Sequence, residues 1–177
     1  MSRKYPEKPL KITRLRYKGI VDFDGLYKMM HGWFGEREYD FLERRFKRKE
    51  RAEGDEYEIN WEAWREVTDF VQNWVTIYFH VWDYREVEII KDGKKKKVGK
   101  CRMLIDFSFW LTLDYEDRWE DTALKRALLE FYIKYVIRHD LDDYYGDKLW
   151  YNTNKLQQDV KKYLGMSGHS DVYDDMW

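Results

Sequence analysis

Apolar and charged positions alternate near the start of the chain. Leu15 and Tyr17 fall on one side of residues 11–21, with Arg14, Arg16 and Lys18 on the other, the period of a half-buried strand. The period then changes. Leu26, Met29, Met30, Trp33 and Phe34 recur at i, i+3, i+4, i+7 and i+8, which is one apolar stripe of a helix. Asp22 or Asp24 supplies an N-cap acceptor for its first free N–H groups, and Gly35 ends it.

Two hairpins follow. Residues 39–51 and 56–68 join through Ala52-Glu53-Gly54-Asp55, a loop that sets Arg51 against Glu56, Lys49 against Glu58, Arg45 against Glu62 and Phe46 against Trp61. The second hairpin surrounds Lys91-Asp92-Gly93-Lys94, where Asp-Gly signals a two-residue type I′ turn. Counting back from that turn pairs Glu88 with Lys97 and Asp83 with Arg102. It also sets Trp74, Thr76, Tyr78, His80 and Trp82 against Leu111, Phe109, Phe107, Ile105 and Met103. This register predicts the core on the Trp74–Trp82 side, since a slip of one residue exchanges the faces. The opposite face then carries Val75, Ile77, Phe79 and Val81 against Trp110, Ser108, Asp106 and Leu104, and Asp106 requires a cationic partner.

The last third reads as helix. Asp121 is placed to cap a segment reaching about Leu141 with Leu124, Leu128, Phe131 and Tyr135 on its apolar side. A shorter helix over about 154–164 has Thr153 as N-cap and Gly165 as its stop. Residues 1–166 form one expected domain, and 167–177 an acidic tail tipped by aromatic residues, with Tyr173 and Trp177 as anchors for a partner.

The expected fold class is α+β: an antiparallel sheet of about five strands, one N-terminal helix and two C-terminal helices. The element order resembles the helix-grip architecture of START-like and pollen-allergen-like domains, which implies an apolar ligand held between sheet and helix. In this chain the resemblance places Trp74, Tyr78, His80, Trp82, Phe107 and Phe109 on the sheet wall and Phe131 and Tyr135 on the helix wall.

Composition narrows the chemistry. The 177 residues are 19% aromatic, with nine Trp, fifteen Tyr and nine Phe, while 33 Lys+Arg balance 34 Asp+Glu to a net charge of -1. One Cys excludes a disulfide scaffold and a thiolate zinc site and suits a reducing compartment. The longest uncharged stretch, residues 70–82, is too short to span a bilayer, and the polar start has no secretory core, so a cytoplasmic location is expected. Near-neutrality argues against a dedicated polyanion binder, because acids in 52–90 complement the bases of 91–102. Binding of single-stranded nucleic acid by rings and a basic strip of Arg14, Arg16, Lys18, Arg44 and Arg48 ranks third.

Catalytic motifs are sparse. Asp22-Phe23-Asp24-Gly25 resembles the first motif of haloacid-dehalogenase-like phosphatases, which implies Asp22 as nucleophile and Asp24 as general acid with Mg²⁺. Leu26 stands where that motif usually has Thr or Ser, and antiparallel hairpins follow where the family has a parallel sheet; helix capping accounts for the same residues. His139-Asp140-Leu141-Asp142-Asp143 with Asp147 gathers hard ligands at no recognised metal spacing. Cys101 alternates with Met103 as a small buried residue, and His80 lacks a visible carboxylate partner.

These features predict no catalytic residue, metal or cofactor. They point first to a non-enzymatic structural or interaction domain that forms a homo-oligomer or binds a protein. Val75, Ile77, Phe79 and Trp110 supply the expected contact face, together with the tail. The second reading is the helix-grip binding protein for a lipid or another apolar or aromatic ligand.

Overall fold

The computed structural model describes residues 3–91, 94–119 and 121–166, without the side chains of 7–12, 91 and 94. Five antiparallel strands, β1 (Arg3–Val21), β2 (Asp40–Lys49), β3 (Asp55–Glu66), β4 (Val71–Lys91) and β5 (Lys94–Leu113), form one sheet in the order β1-β5-β4-β3-β2. Helix α1 (Phe23–Gly35) connects β1 to β2. After β5 come α2 (Ala123–Phe131), π-helical turns at Tyr132–Val136 and Asp140–Gly146, and α3 (Asp147–Tyr163). This is the expected α+β class, with an all-antiparallel sheet. Among the described residues no helix is long and apolar enough to cross a membrane.

Among the described residues the hydrophobic core lies on one side of the sheet. Leu26, Met30, Trp33 and Phe34 of α1 and Leu149, Leu156 and Val160 of α3 pack against Ile59, Trp61, Ile77, Phe79, Ile105 and Phe107. Asp22 caps α1 by accepting from Gly25 N at 3.0 Å, and Lys96 Nζ lies 2.6 Å from the same carboxylate. Those bonds fix where α1 leaves the sheet. Tyr27 donates to Glu43, which also accepts from Trp61 Nε1 at 3.1 Å, so α1 is tied to β2 and β3 through a half-buried carboxylate with both bonds made.

The long hairpin keeps its expected register near the tip, where Glu88 pairs with Lys97 and Arg85 with Lys100. A β-bulge between Trp82 and Arg85 then shifts the pairing by one residue. Asp83, at φ 55°, holds the bulge with Arg102 Nε 2.7 Å from its carboxylate. Beyond it Trp82 pairs with Arg102 and Trp74 with Trp110, while Val75, Ile77, Phe79 and Val81 pair with Phe109, Phe107, Ile105 and Met103. The predicted register is therefore corrected by one residue over most of the hairpin, and the predicted core face is exchanged on β4 alone, while Met103, Ile105, Phe107, Phe109 and Leu111 of β5 are buried as expected. Val75, Ile77 and Phe79 are core, and the side of Trp74, Tyr78, His80 and Trp82 is open.

The first hairpin is closer than predicted by two residues near its loop, where Lys49 pairs with Glu56 and Phe46 with Ile59 and the faces are unchanged. An irregularity between Glu43 and Arg45 shifts the rest by one more residue, so Arg44 rather than Arg45 meets Glu62 and Arg45 meets Glu58. Long side chains still reach diagonally, leaving Arg51 2.6 Å from Glu56 and Lys49 2.8 Å from Glu58.

The C-terminal helices also differ. Thr122, not Asp121, caps α2, and Asp121 instead pairs with Lys125 at 2.6 Å. Helix α3 begins at Asp147, so Thr153 lies inside it and donates to Leu149 O at 2.9 Å. Buried Leu149 draws the preceding turn into the helix, which no local capping signal can reveal. Gly165, at φ 66°, follows the helix end as expected.

Candidate functional site

Helices cover one face of the sheet, and among the described residues no element packs over the other. An open antiparallel face is ordinarily polar. Here it carries aromatic rings on three neighbouring strands. Trp64 and Trp74 stack at 5.1 Å between centroids, Trp74 and Trp110 at 5.9 Å, and Lys4 Nζ lies 4.1 Å from the Trp110 ring centre. The Trp110 indole N–H is buried and has no acceptor among the described residues. Farther along β4, half-buried Tyr78, His80 and Trp82 continue the row, with His80 and Trp82 stacked at 3.9 Å.

The carboxylate partner of His80 comes from β3. Its Nε2 lies 2.7 Å from Glu56 Oε1, and Glu56 is only 5% exposed. That hydrogen bond holds the Glu56 carboxyl below the usual range, helped by Arg51 and Lys49. Glu58 is lowered mainly by its hydrogen bond from Lys49. Ligand atoms of Glu56, Glu58 and His80 come within 4.8 Å of one another, the spacing of a metal site. Three cations already face these acids: Lys49, Arg51 at 2.6 Å and Arg45 at 3.0 Å. Two carboxylates committed to three cations leave no net negative charge to attract a divalent ion, so this is an ion-pair network fastening β2, β3 and β4.

At the opposite edge, Arg14 makes two 2.8 Å hydrogen bonds to Asp106, supplying the cation that Asp106 needs. The basic strip imagined from Arg14, Arg16, Lys18, Arg44 and Arg48 does not form as one unit, because β1 and β2 are the two outer strands. Arg44 pairs with Glu62 and Arg48 with Asp55. Arg16, Lys18 and Lys100 are exposed and make no ion pair among the described residues.

The residues of the expected apolar pocket are dispersed. Trp74, Tyr78, His80 and Trp82 lie on the open face, whereas Phe107 and Phe109 lie in the core at 0% and 2% exposure. Phe131 and Tyr135 face solvent, at 57% and 66%. These eight residues do not share one cavity. Of the expected contact residues, Val75, Ile77 and Phe79 are covered by the protein's own helices, and Trp110 is buried in the tryptophan row. Tyr173 and Trp177 lie outside the described residues.

A second anomaly is the outer side of residues 124–136. Leu124, Leu128, Phe131, Tyr132, Tyr135 and Val136 are all exposed, with Leu124 at 72%, and form a continuous helical ridge. Leu129 is the one buried residue of α2, and Ile133 and Ile137 pack partly against the core. Asp114 positions this arm. Buried at the end of β5, it accepts from the backbone N–H groups of Arg118 and Trp119 at 3.0 and 3.1 Å and turns the chain toward α2. The stripe is legible in the sequence, but it faces solvent where the helix-grip resemblance implies the sheet.

The remaining candidates have structural roles in view. Asp22 is the α1 cap described above, in a sheet without the parallel pairs of the phosphatase-like architecture. His139 Nδ1 lies 2.5 Å from Asp143, and Asp142 accepts from Tyr5 OH at 2.8 Å, so the His139–Asp143 cluster does not converge on one point. Burial pushes the Cys101 thiol up to about 11, far from a reactive thiolate. Comparisons with protein-family models, with curated proteins and with solved structures find no significant match to this chain.

Proposed function

We propose that this protein is a non-enzymatic interaction domain that self-associates through the 124–136 ridge. The observation that carries this reading is the exposure of Leu124, Leu128, Phe131 and Tyr135, four large apolar side chains at successive helical turns. Contiguous apolar surface of this kind marks a contact site in soluble proteins. Fully burying one such side chain stabilises by about 1.5–3 kcal/mol, whereas association costs on the order of 4–15 kcal/mol in lost freedom. Two ridges packed together therefore give a dimer of moderate, concentration-dependent strength.

The flanking charges favour a second copy over a strongly charged partner. Lys125 pairs with Asp121, Glu130 with Arg3 at 3.4 Å, and Arg138 with Asp142 at 3.8 Å. What remains is an apolar strip, flanked by Arg126 and by Lys134 lying over the Tyr135 ring, whose apolar positions complement themselves about a two-fold axis.

Size-exclusion chromatography with light scattering over a wide concentration range tests the proposal. The native chain should shift from monomer to dimer, and the double variant Leu128→Glu/Phe131→Glu should stay monomeric with an unchanged far-UV circular dichroism spectrum. A native chain that is monomeric throughout, or a variant that dimerises equally, refutes it.

A further inference from the structure

The open sheet face carries a second feature, independent of the ridge. Beside Trp82, two contiguous hollows of about 710 and 480 Å³ share Lys18 and Arg102 and run across β1, β5 and β4. Their walls contribute five cations, Arg16, Lys18, Arg85, Lys100 and Arg102, against two acids, Glu53 and Asp83. Asp83 is already neutralised by Arg102 at 2.7 Å. Arg16, Lys18 and Lys100 are left facing solvent without an ion pair among the described residues. Concentrating unpaired like charges is unfavourable unless an anion offsets it. In a chain of net charge -1, this excess is local.

The rings add a second kind of complementarity. Trp82 forms part of the groove wall, and Tyr78 and Trp74 follow on the same face of β4. At about 3.3–3.4 Å per residue, Trp74 and Trp82 are separated by about 27 Å along the strand. Arg16 and Lys18, two residues apart on one face, are spaced by about 7 Å. A strip of cations beside a row of rings suits a ligand with repeating negative charge on one side and flat apolar groups on the other. We propose that this groove binds single-stranded nucleic acid, with its phosphates on Arg16, Lys18 and Lys100 and a base stacked on Trp82. A duplex keeps its bases within its own stack and cannot present one to the ring. An acidic peptide would satisfy the cations but leave the aromatic row unused.

Fluorescence anisotropy of a labelled mixed-sequence twelve-nucleotide RNA tests this, alongside the same sequence as single-stranded DNA and as duplex. The full-length protein should bind the single strands and prefer them to the duplex. For three phosphate contacts, affinity should fall about 20-fold between roughly 50 and 200 mM salt. Arg16→Glu/Lys18→Glu should abolish binding while preserving the fold, since both side chains are exposed. Lys95→Glu/Lys97→Glu, at exposed positions outside the groove, should leave binding intact. Trp82→Ala should weaken it roughly 5- to 100-fold, and Trp82→Tyr should retain most of it. Absence of binding by the native protein refutes the proposal. So does duplex binding as tight as single-strand binding, equal competition by a poly-glutamate peptide, or indistinguishable behaviour of the two charge-reversal pairs.

Discussion

Leu26, Met29, Met30, Trp33 and Phe34 recur at helical spacing along α1, and Leu124, Leu128, Phe131 and Tyr135 do so along the later helical arm. Both stripes are apolar and both follow a side-chain cap, Asp22 in one case and Thr122 in the other. Helix α1 buries Leu26 and Met30 to 0% exposure, while Leu124 and Tyr135 stand 72% and 66% exposed. The difference lies in the surroundings. Helix α1 is held by Lys96 on its cap, by the hydrogen bond from Tyr163 to Asp22 O at 3.3 Å, and by Tyr27 on Glu43. Helices α1 and α3 supply most of the helical cover of the core face, and Leu129 is the one residue that α2 buries. An amphipathic pattern states that a face needs cover, without stating what supplies it.

Truncating one side chain from each stripe separates the two most strongly. Met30→Ala should destabilise the protein by about 2–5 kcal/mol in urea denaturation, the cost of lost burial plus a cavity. Leu128→Ala, measured at concentrations too low for association, should change stability by no more than about 0.5 kcal/mol. Similar losses at both positions would mean that the later stripe is packed in solution.

A smaller effect is expected at the bulge that selects which face α1 covers. Asp83 has positive φ, where a β-branched residue is strained. Asp83→Val should cost about 1–2 kcal/mol in thermal unfolding. Asp83→Gly should cost less, because glycine relieves the strain while forfeiting the Arg102 pair. Equal costs for Val and Gly would show that the backbone conformation is not what matters there.

The smallest effect belongs to the cap that holds α1 in place. Asp22→Ala should cost about 1 kcal/mol. The Asp22 carboxyl is held below its ordinary value, first by the hydrogen bond from Lys96 and then by that from Gly25 N–H. A depressed folded-state value means that its stabilisation is complete above the unfolded value of about 3.9. It is lost as pH falls below that point and through the folded value. Urea denaturation across this acid range should show a decline in the native protein that Asp22→Asn reduces, since Asn still caps but does not titrate.

Charge partners with local spacing were legible in the sequence. The tip pairing of Glu88 with Lys97 follows from turn length and the Asp22 cap from the helix start. The contacts of Arg51 with Glu56 and Lys49 with Glu58 survive a two-residue change of register because long side chains reach diagonally. Asp106's need for a cation was legible too, although only the β1–β5 pairing identifies Arg14. The face of β4 was not. Both sets of alternate residues are rich in apolar side chains, so hydrophobicity could not arbitrate, and Asp83 lies between Trp82 and Tyr84 with no glycine to mark a bulge. His80 gained its partner Glu56 from a different strand pair, which spacing within one hairpin could not anticipate. The unpaired cations of the groove became distinguishable only once Arg14, Arg44 and Arg48 had found their acids.

By itself, the sequence determined the element types, the antiparallel hairpins, the stripe of α1 and the end of α3 near Gly165. All of these depend on backbone dihedral preferences and short-range periodicity. The tertiary structure decided which face of the sheet became core and which stripe stayed outside. It also decided where Thr153 sits and which cations are spare. Those outcomes depend on a one-residue bulge and on competition among distant segments for one limited apolar surface, and neither is encoded within the span of a single element.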